Sequence, residues 1–176
     1  MLTLQALCLF DALGDDFADR LNDFLHDDQN HEDLDFDEPP TRTVLRFARD
    51  LAIGAWFARA RADELLAAAV PGWSVQRMAP VDRNILRLGL FELLSRPETP
   101  FQVVINEAVE LARRFGDAET PAFVNGVLDG IRRRNENATP DGAAPDAPPP
   151  AGEPADTVDT AARSNDTERE ADDGPV

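Results

Sequence analysis

Apolar residues recur at helical spacing along most of the chain. Leu2, Ala6, Leu9 or Phe10, and Leu13 fall on one face, and Gly14 supplies the left-handed residue on which such a helix closes. Phe17, Leu21, Phe24 and Leu25 make the next stripe, with aspartates opposite. A longer pattern starts near Thr41, runs through Val44, Ala48, Leu51 and Ala55 towards Leu66 with a break expected near Arg61, and meets Pro71-Gly72. Another opens at Pro80, with Val81, Ile85 and Leu88 inward. Thr99-Pro100 and Thr120-Pro121 each read as an N-cap followed by a proline at the first helical position. Val104, Ala108, Leu111, Ala112 and Phe115 form the stripe that Gly116 ends, and the final helix carries Phe123, Val124, Val127, Leu128 and Ile131. No segment alternates with period two, so no strands are expected. The pattern predicts an all-α fold of about seven helices, packed as one bundle or two small sub-bundles.

Two stretches break the periodicity. Asp27 to Pro40 is acidic and reads as a long loop inside a domain that spans residues 1–136. Residues 137–176 hold seven prolines, many acids and, as large apolar residues, only Val158 and Val176, so they cannot bury enough surface to offset the entropy of ordering and are expected to be a disordered tail. The net charge of −17 argues against a nucleic-acid partner until its distribution is considered. Residues 1–40 carry 1 Arg against 12 Asp and Glu, residues 137–176 carry 2 against 10, and residues 41–136 carry 14 against 12. The central block is close to neutral and all its basic residues are arginine, which pairs planar anions bidentately and stacks on bases.

Catalytic chemistry finds little support. There is no Gly-rich phosphate loop, no G-x-S-x-G, and no Cys-His spacing of a known kind. His26 and His31 sit in an acidic segment without the fixed geometry of a metal site. Cys8, the only cysteine, falls among leucines and alanines and reads as a small core residue. No run reaches the roughly 18 to 20 apolar residues of a membrane span, and no basic leader precedes the first leucines, so a cytoplasmic protein without cofactor or metal is expected. Asn106 and Asn125 lie inside apolar stripes and are expected to tie helices together by hydrogen bonds, while Gly126 suggests a close helix approach.

Three segments carry a more specific signal. W-S-V-Q-R-M-A-P-V-D-R-N-I-L-R-L-G-L-F-E-L-L (Trp73 to Leu94), P-F-Q-V-V-I-N-E-A-V-E-L-A-R-R-F-G (Pro100 to Gly116) and F-V-N-G-V-L-D (Phe123 to Asp129), together with L-Q-A-L (Leu4 to Leu7), closely resemble the NusB family of transcription antitermination factors over about residues 1–134. The resemblance implies two three-helix halves and a short connector. It also implies a non-enzymatic protein that binds a short single-stranded antitermination element in nascent RNA together with ribosomal protein NusE, and that loads onto RNA polymerase. Phe123 falls where the family places an aromatic at the RNA surface, with plain core packing as the alternative, and Glu119 where it places an acid near the same site. Asp82 occupies a position linked to the NusE contact, with a helix N-terminal charge effect as the alternative. Arg83 and Arg87, one turn apart, are candidates to touch RNA phosphate or to pair with acids such as Glu92.

The chain also departs from the family pattern. An arginine-rich stretch ahead of L-Q-A-L is not seen before Met1-Leu2-Thr3, and Ala122 stands where a basic residue is expected. Either a basic segment lies upstream of Met1, or this is a divergent member with weakened RNA binding that works as a protein-binding scaffold. The same helical module serves ribosomal-RNA cytosine methyltransferases, but no methyl-donor domain follows residue 136. The acidic residues 137–176 are candidates to compete with RNA for arginine or to hold a basic partner such as NusE, with an inert solubilising tail as the alternative.

Overall fold

The computed structural model describes residues 1–32 and 38–138; the middle of the acidic loop and the expected tail from residue 139 lie outside them. Seven α-helices of six residues or more form the described part: α1 (Leu2–Leu13), α2 (Leu21–His26), α4 (Arg42–Phe57), α5 (Arg59–Ala69), α6 (Pro80–Ser95), α7 (Phe101–Phe115) and α8 (Thr120–Ala138). A single turn, α3 (Gln29–Glu32), and two 3₁₀ segments, Gly14–Arg20 and Val75–Arg77, join them. Among the described residues there is no strand, and no helix is long and apolar enough to cross a membrane.

The apolar stripes close over two cores. The first gathers α1, α2, α4 and the 3₁₀ segment between α1 and α2 around Leu7, Phe10, Phe17, Leu21 and Leu51. Phe10 is its hub, meeting Phe17 edge-on at 4.9 Å and Trp56 in a stack at 5.0 Å. The second core gathers α5 to α8 around Leu66, Ile85, Leu90, Val124 and Leu128. Helices α1 and α6 serve both, since Leu4 and Leu7 point to different cores, as do Leu86 and Leu88. Fully burying one such side chain is worth roughly 1.5 to 3 kcal/mol, so the two clusters dominate the stability of the fold.

Several boundaries differ from the sequence expectation for local reasons. The long fourth helical pattern breaks at Ala58 instead of near Arg61. There the Arg59 guanidinium lies 4.0 Å over the Trp56 ring and Nη1 donates to the Trp56 carbonyl at 2.9 Å, satisfying a group that the end of α4 leaves open. Pro100, not Thr99, is the N-cap of α7, because its ψ of 134° is already extended. Part of the acidic loop is ordered as α3. Asn30 Nδ2 donates to the Phe24 carbonyl at 2.9 Å and His31 Nε2 bonds the Leu25 carbonyl at 2.9 Å, so both side chains cap α2. At the other end α8 continues to Ala138, two residues beyond the expected domain boundary.

The polar residues expected to tie the helices together point outward. Asn106 and Asn125 are exposed, and a Cβ placed on Gly126 would meet nothing within 4 Å. Phe115, expected inside, is 37% exposed at the last turn of α7. The close approach occurs at Gly89 instead, where an added Cβ would sit 2.8 Å from Leu128, and at Gly54, which packs under the Phe91 ring.

Candidate nucleic-acid interface

Pro71 and Gly72 end α5 and set up the surface of interest. Gly72 adopts φ 90°, a conformation that side chains with a Cβ rarely accept, and the Trp73 N–H returns to the Val70 carbonyl at 3.1 Å. The turn carries the Trp73 indole onto the first turns of α8, where it stacks on Phe123 with ring centroids 5.2 Å apart and planes 28° apart. Trp73 is 61% exposed and Phe123 is half-buried beneath it. Phe123 therefore both packs on the second core and supports an aromatic face open to solvent. Trp73 was not singled out as a site residue from the sequence; an apolar ring directly after a Pro-Gly turn was the available signal.

Acidic groups surround the start of the same helix. Asp82, in the first turn of α6, accepts a hydrogen bond from the Thr120 hydroxyl at 3.3 Å, and that hydroxyl accepts the Asp117 N–H at 3.1 Å. Burial pushes the Asp82 carboxyl above the usual carboxylate range; the Thr120 bond opposes this and the Asp117 charge adds to it. Glu119 is exposed, and its carbonyl accepts the Phe123 N–H at 3.2 Å. The fold thus gathers Asp82, Glu119 and Phe123 where α6 and α8 begin. Ala122, Asn125 and Gly126 lie exposed along the same stretch of α8.

Arg83 and Arg87 are elsewhere. Arg83 Nε and Nη2 donate to Asp11 Oδ2 at 3.1 and 2.7 Å, and Nη1 faces the carbonyls of Val75, Gln76 and Met78 at 3.1 to 3.4 Å. Arg87 is 7% exposed; it donates to Asp11 Oδ1 at 2.8 Å and grips Asp63 through two bonds of 2.8 and 2.7 Å. Asn84, fully buried between them, donates to Asp11 Oδ2 at 2.8 Å. Burial pushes the Asp11 carboxyl up, but the bonds from Arg83, Arg87 and Asn84 outweigh it and hold the group below the usual carboxylate range. Both guanidinium groups are spent joining α6 to α1 and α5, with Asp11 and Asp63 as partners in place of Glu92. Asn84 is the buried helix-tying asparagine that the sequence reading had placed at Asn106 and Asn125. Cys8 stands half-buried beside Asn84, and burial pushes its thiol up.

The described residues form an all-helical domain with two cores and an aromatic pair at its surface, and comparison with known proteins makes the class specific. The model of the NusB family matches residues 1–133, and the chain belongs to that family. A transcription antitermination protein NusB of Sorangium cellulosum is 51% identical over 85 residues, 48% of this chain and 61% of that protein. One of Anaeromyxobacter dehalogenans is 41% identical over 128 residues, 73% of this chain and 83% of that protein. The chain spans about three-fifths of the length of the Sorangium cellulosum and Myxococcus xanthus relatives, 61% and 63%. A solved structure of T. maritima NusB superposes with a TM-score of 0.58 at 32% identity, over 75% of this chain and 86% of that one. A structure of antitermination factors NusB and NusE in complex with dsRNA shares the fold, with a TM-score of 0.63 at 22% identity over 76% of this chain and 92% of that one.

Proposed function

We propose that this chain is a non-enzymatic antitermination factor of the cytoplasm. It binds a single-stranded antitermination element in nascent ribosomal RNA together with ribosomal protein NusE, as part of the RNA polymerase antitermination complex. The observation that carries the reading is the Trp73–Phe123 stack, an aromatic face open to solvent on α8. A nucleobase stacked on such a ring gains roughly 1 to 3 kcal/mol, enough to anchor one position of an RNA strand. Glu119, exposed one turn before Phe123, would accept hydrogen bonds from base edges, and Asp82 would lie on the side where NusE docks. Membership of a family whose relatives are named transcription antitermination proteins, and the likeness to a NusB–NusE–RNA structure, support both partners. Arg83 and Arg87 are left out of the proposed contacts, because Asp11 and Asp63 already hold them.

Fluorescence anisotropy with a labelled antitermination-element RNA tests the reading. Binding should tighten when NusE is added and weaken about tenfold in Phe123→Ala; an RNA that stays unbound with and without NusE would refute it. A second reading, a NusB-like scaffold that recognises proteins only, is favoured by one observation: the aromatic pair is flanked by Asp82, Glu119 and the exposed Ala122. In that case NusE binds and RNA does not.

A further inference from the structure

Three exposed arginines form a row on α4. Arg42, Arg46 and Arg49 recur at i, i+4 and i+7, so they share one face, and all three are exposed. At 1.5 Å of rise per residue the row spans about 10 Å of helix axis. It borders a cleft of about 290 Å³ between α2 and α4, walled on the far side by Asn22 and His26 and floored by the buried Leu25 and Leu45.

Among the described residues, seven other guanidinium groups have carboxylate partners. Arg83 and Arg87 serve Asp11 and Asp63, Arg132 and Arg133 serve Asp129, and Arg59, Arg61 and Arg113 pair with Asp15, Glu64 and Glu110. On α4 Arg49 reaches Asp50 at 3.8 Å, and both side chains are about half exposed. Among the described residues, Arg42 and Arg46 have no carboxylate partner, although acids outnumber bases 34 to 17 in the chain. Asp27, Asp28 and Glu38, exposed acids close by in sequence, do not engage the row. Three like charges one turn apart repel one another. A repeating anion would relieve that repulsion, and guanidinium forks match phosphate oxygens bidentately.

We propose that this face of α4 binds RNA through its sugar-phosphate backbone, with Arg42, Arg46 and Arg49 meeting two or three consecutive phosphates. The proposal rests on the RNA-binding reading above. It adds the source of positive charge that Asp82, Glu119 and Ala122 do not provide at the aromatic pair.

The test is the salt dependence of binding to a 5′-labelled 16-nucleotide RNA carrying the antitermination element, from 50 to 200 mM salt, with the full chain. Each phosphate contact to a single strand contributes about 0.7 to the slope of log K against log salt. The triple variant Arg42→Gln, Arg46→Gln, Arg49→Gln should lower that slope by about 2, and the triple Arg→Lys variant should keep it close to the parent. Phe123→Ala should weaken binding while leaving the slope unchanged, which separates the two surfaces. Circular dichroism should show equal helicity, since all three positions are exposed. If the parent binds RNA and the triple Gln variant keeps its slope, the α4 surface is overturned while the functional reading stands. If the parent binds no RNA, both fall. If the slope difference disappears once residues 139–176 are deleted, the arginines answer to that acidic segment and the proposal is overturned.

Discussion

Asp11 Oδ1 lies 2.8 Å from Nη1 of Arg87, and this contact, between residues 76 apart in the chain, fastens α1 to the middle of α6. The same carboxylate takes Arg83 and Asn84 on its other oxygen, so one acid satisfies three buried or half-buried donors. Removing this acid takes one acceptor from each of the three, although Asp63 still holds Arg87, and loss of one partner of a buried pair commonly costs roughly 3 to 5 kcal/mol. Asp11→Ala is therefore expected to lose about 3 kcal/mol or more of unfolding free energy in urea titration. Arg61→Ala, whose pair with Glu64 is about two-thirds exposed, should change stability by less than about 1 kcal/mol.

The same site sets an acid limit. The Asp11 carboxyl is depressed in the folded chain, so its contribution is complete above the ordinary aspartate value of about 3.9 and is lost as pH falls through the lower folded value. Asp11→Asn should accordingly show a shallower loss of stability than the parent below about pH 4 when the two are compared by thermal melts across pH.

Asp82 has the opposite sign. Its carboxyl is raised by burial, so the folded state favours the protonated form and stability declines as pH climbs from about 3.9 through the raised value. Asp82→Asn removes that decline and still offers an oxygen to the Thr120 hydroxyl. It should be as stable as the parent or slightly more so at pH 7 in urea titration, while affinity for NusE falls if Asp82 belongs to that contact.

Three glycines give a graded packing series. Gly54→Ala and Gly89→Ala each force a methyl against Phe91 or Leu128 and should cost about 1 to 3 kcal/mol. Gly126→Ala meets open space in the interior of α8 and should be neutral or stabilising by up to about 1 kcal/mol. Denaturant midpoints with unchanged slopes would check all three.

The helices and both cores were legible from the spacing of apolar residues, because a helix that buries one face must repeat near every 3.6 residues. Buried Val104, Ala108, Val124, Leu128 and Ile131 all sit where the stripes put them. The polar positions were misread for a related reason. Asn106 has exposed Gln102 and Glu110 one turn away on its own face, whereas Asn84 shares its face with buried Arg87 and Leu88 one turn on and is truly buried. Arg83 and Arg87 cannot be assigned without knowing that Asp11 and Asp63 come to meet them, which is a matter of tertiary contact. The partnership of Trp73 with Phe123 is likewise long-range, since only the folded turn at Pro71-Gly72 brings the indole to α8.

Trp73 also provides the most direct measurement. The chain has two tryptophans, and Trp56 is 6% exposed inside the first core while Trp73 is 61% exposed on Phe123. In a Trp56→Phe variant, titration with the antitermination-element RNA should quench the emission of Trp73 saturably, with the same midpoint as the anisotropy signal. RNA that binds by anisotropy and leaves the Trp73 emission unchanged would contradict a base stacked on this aromatic pair.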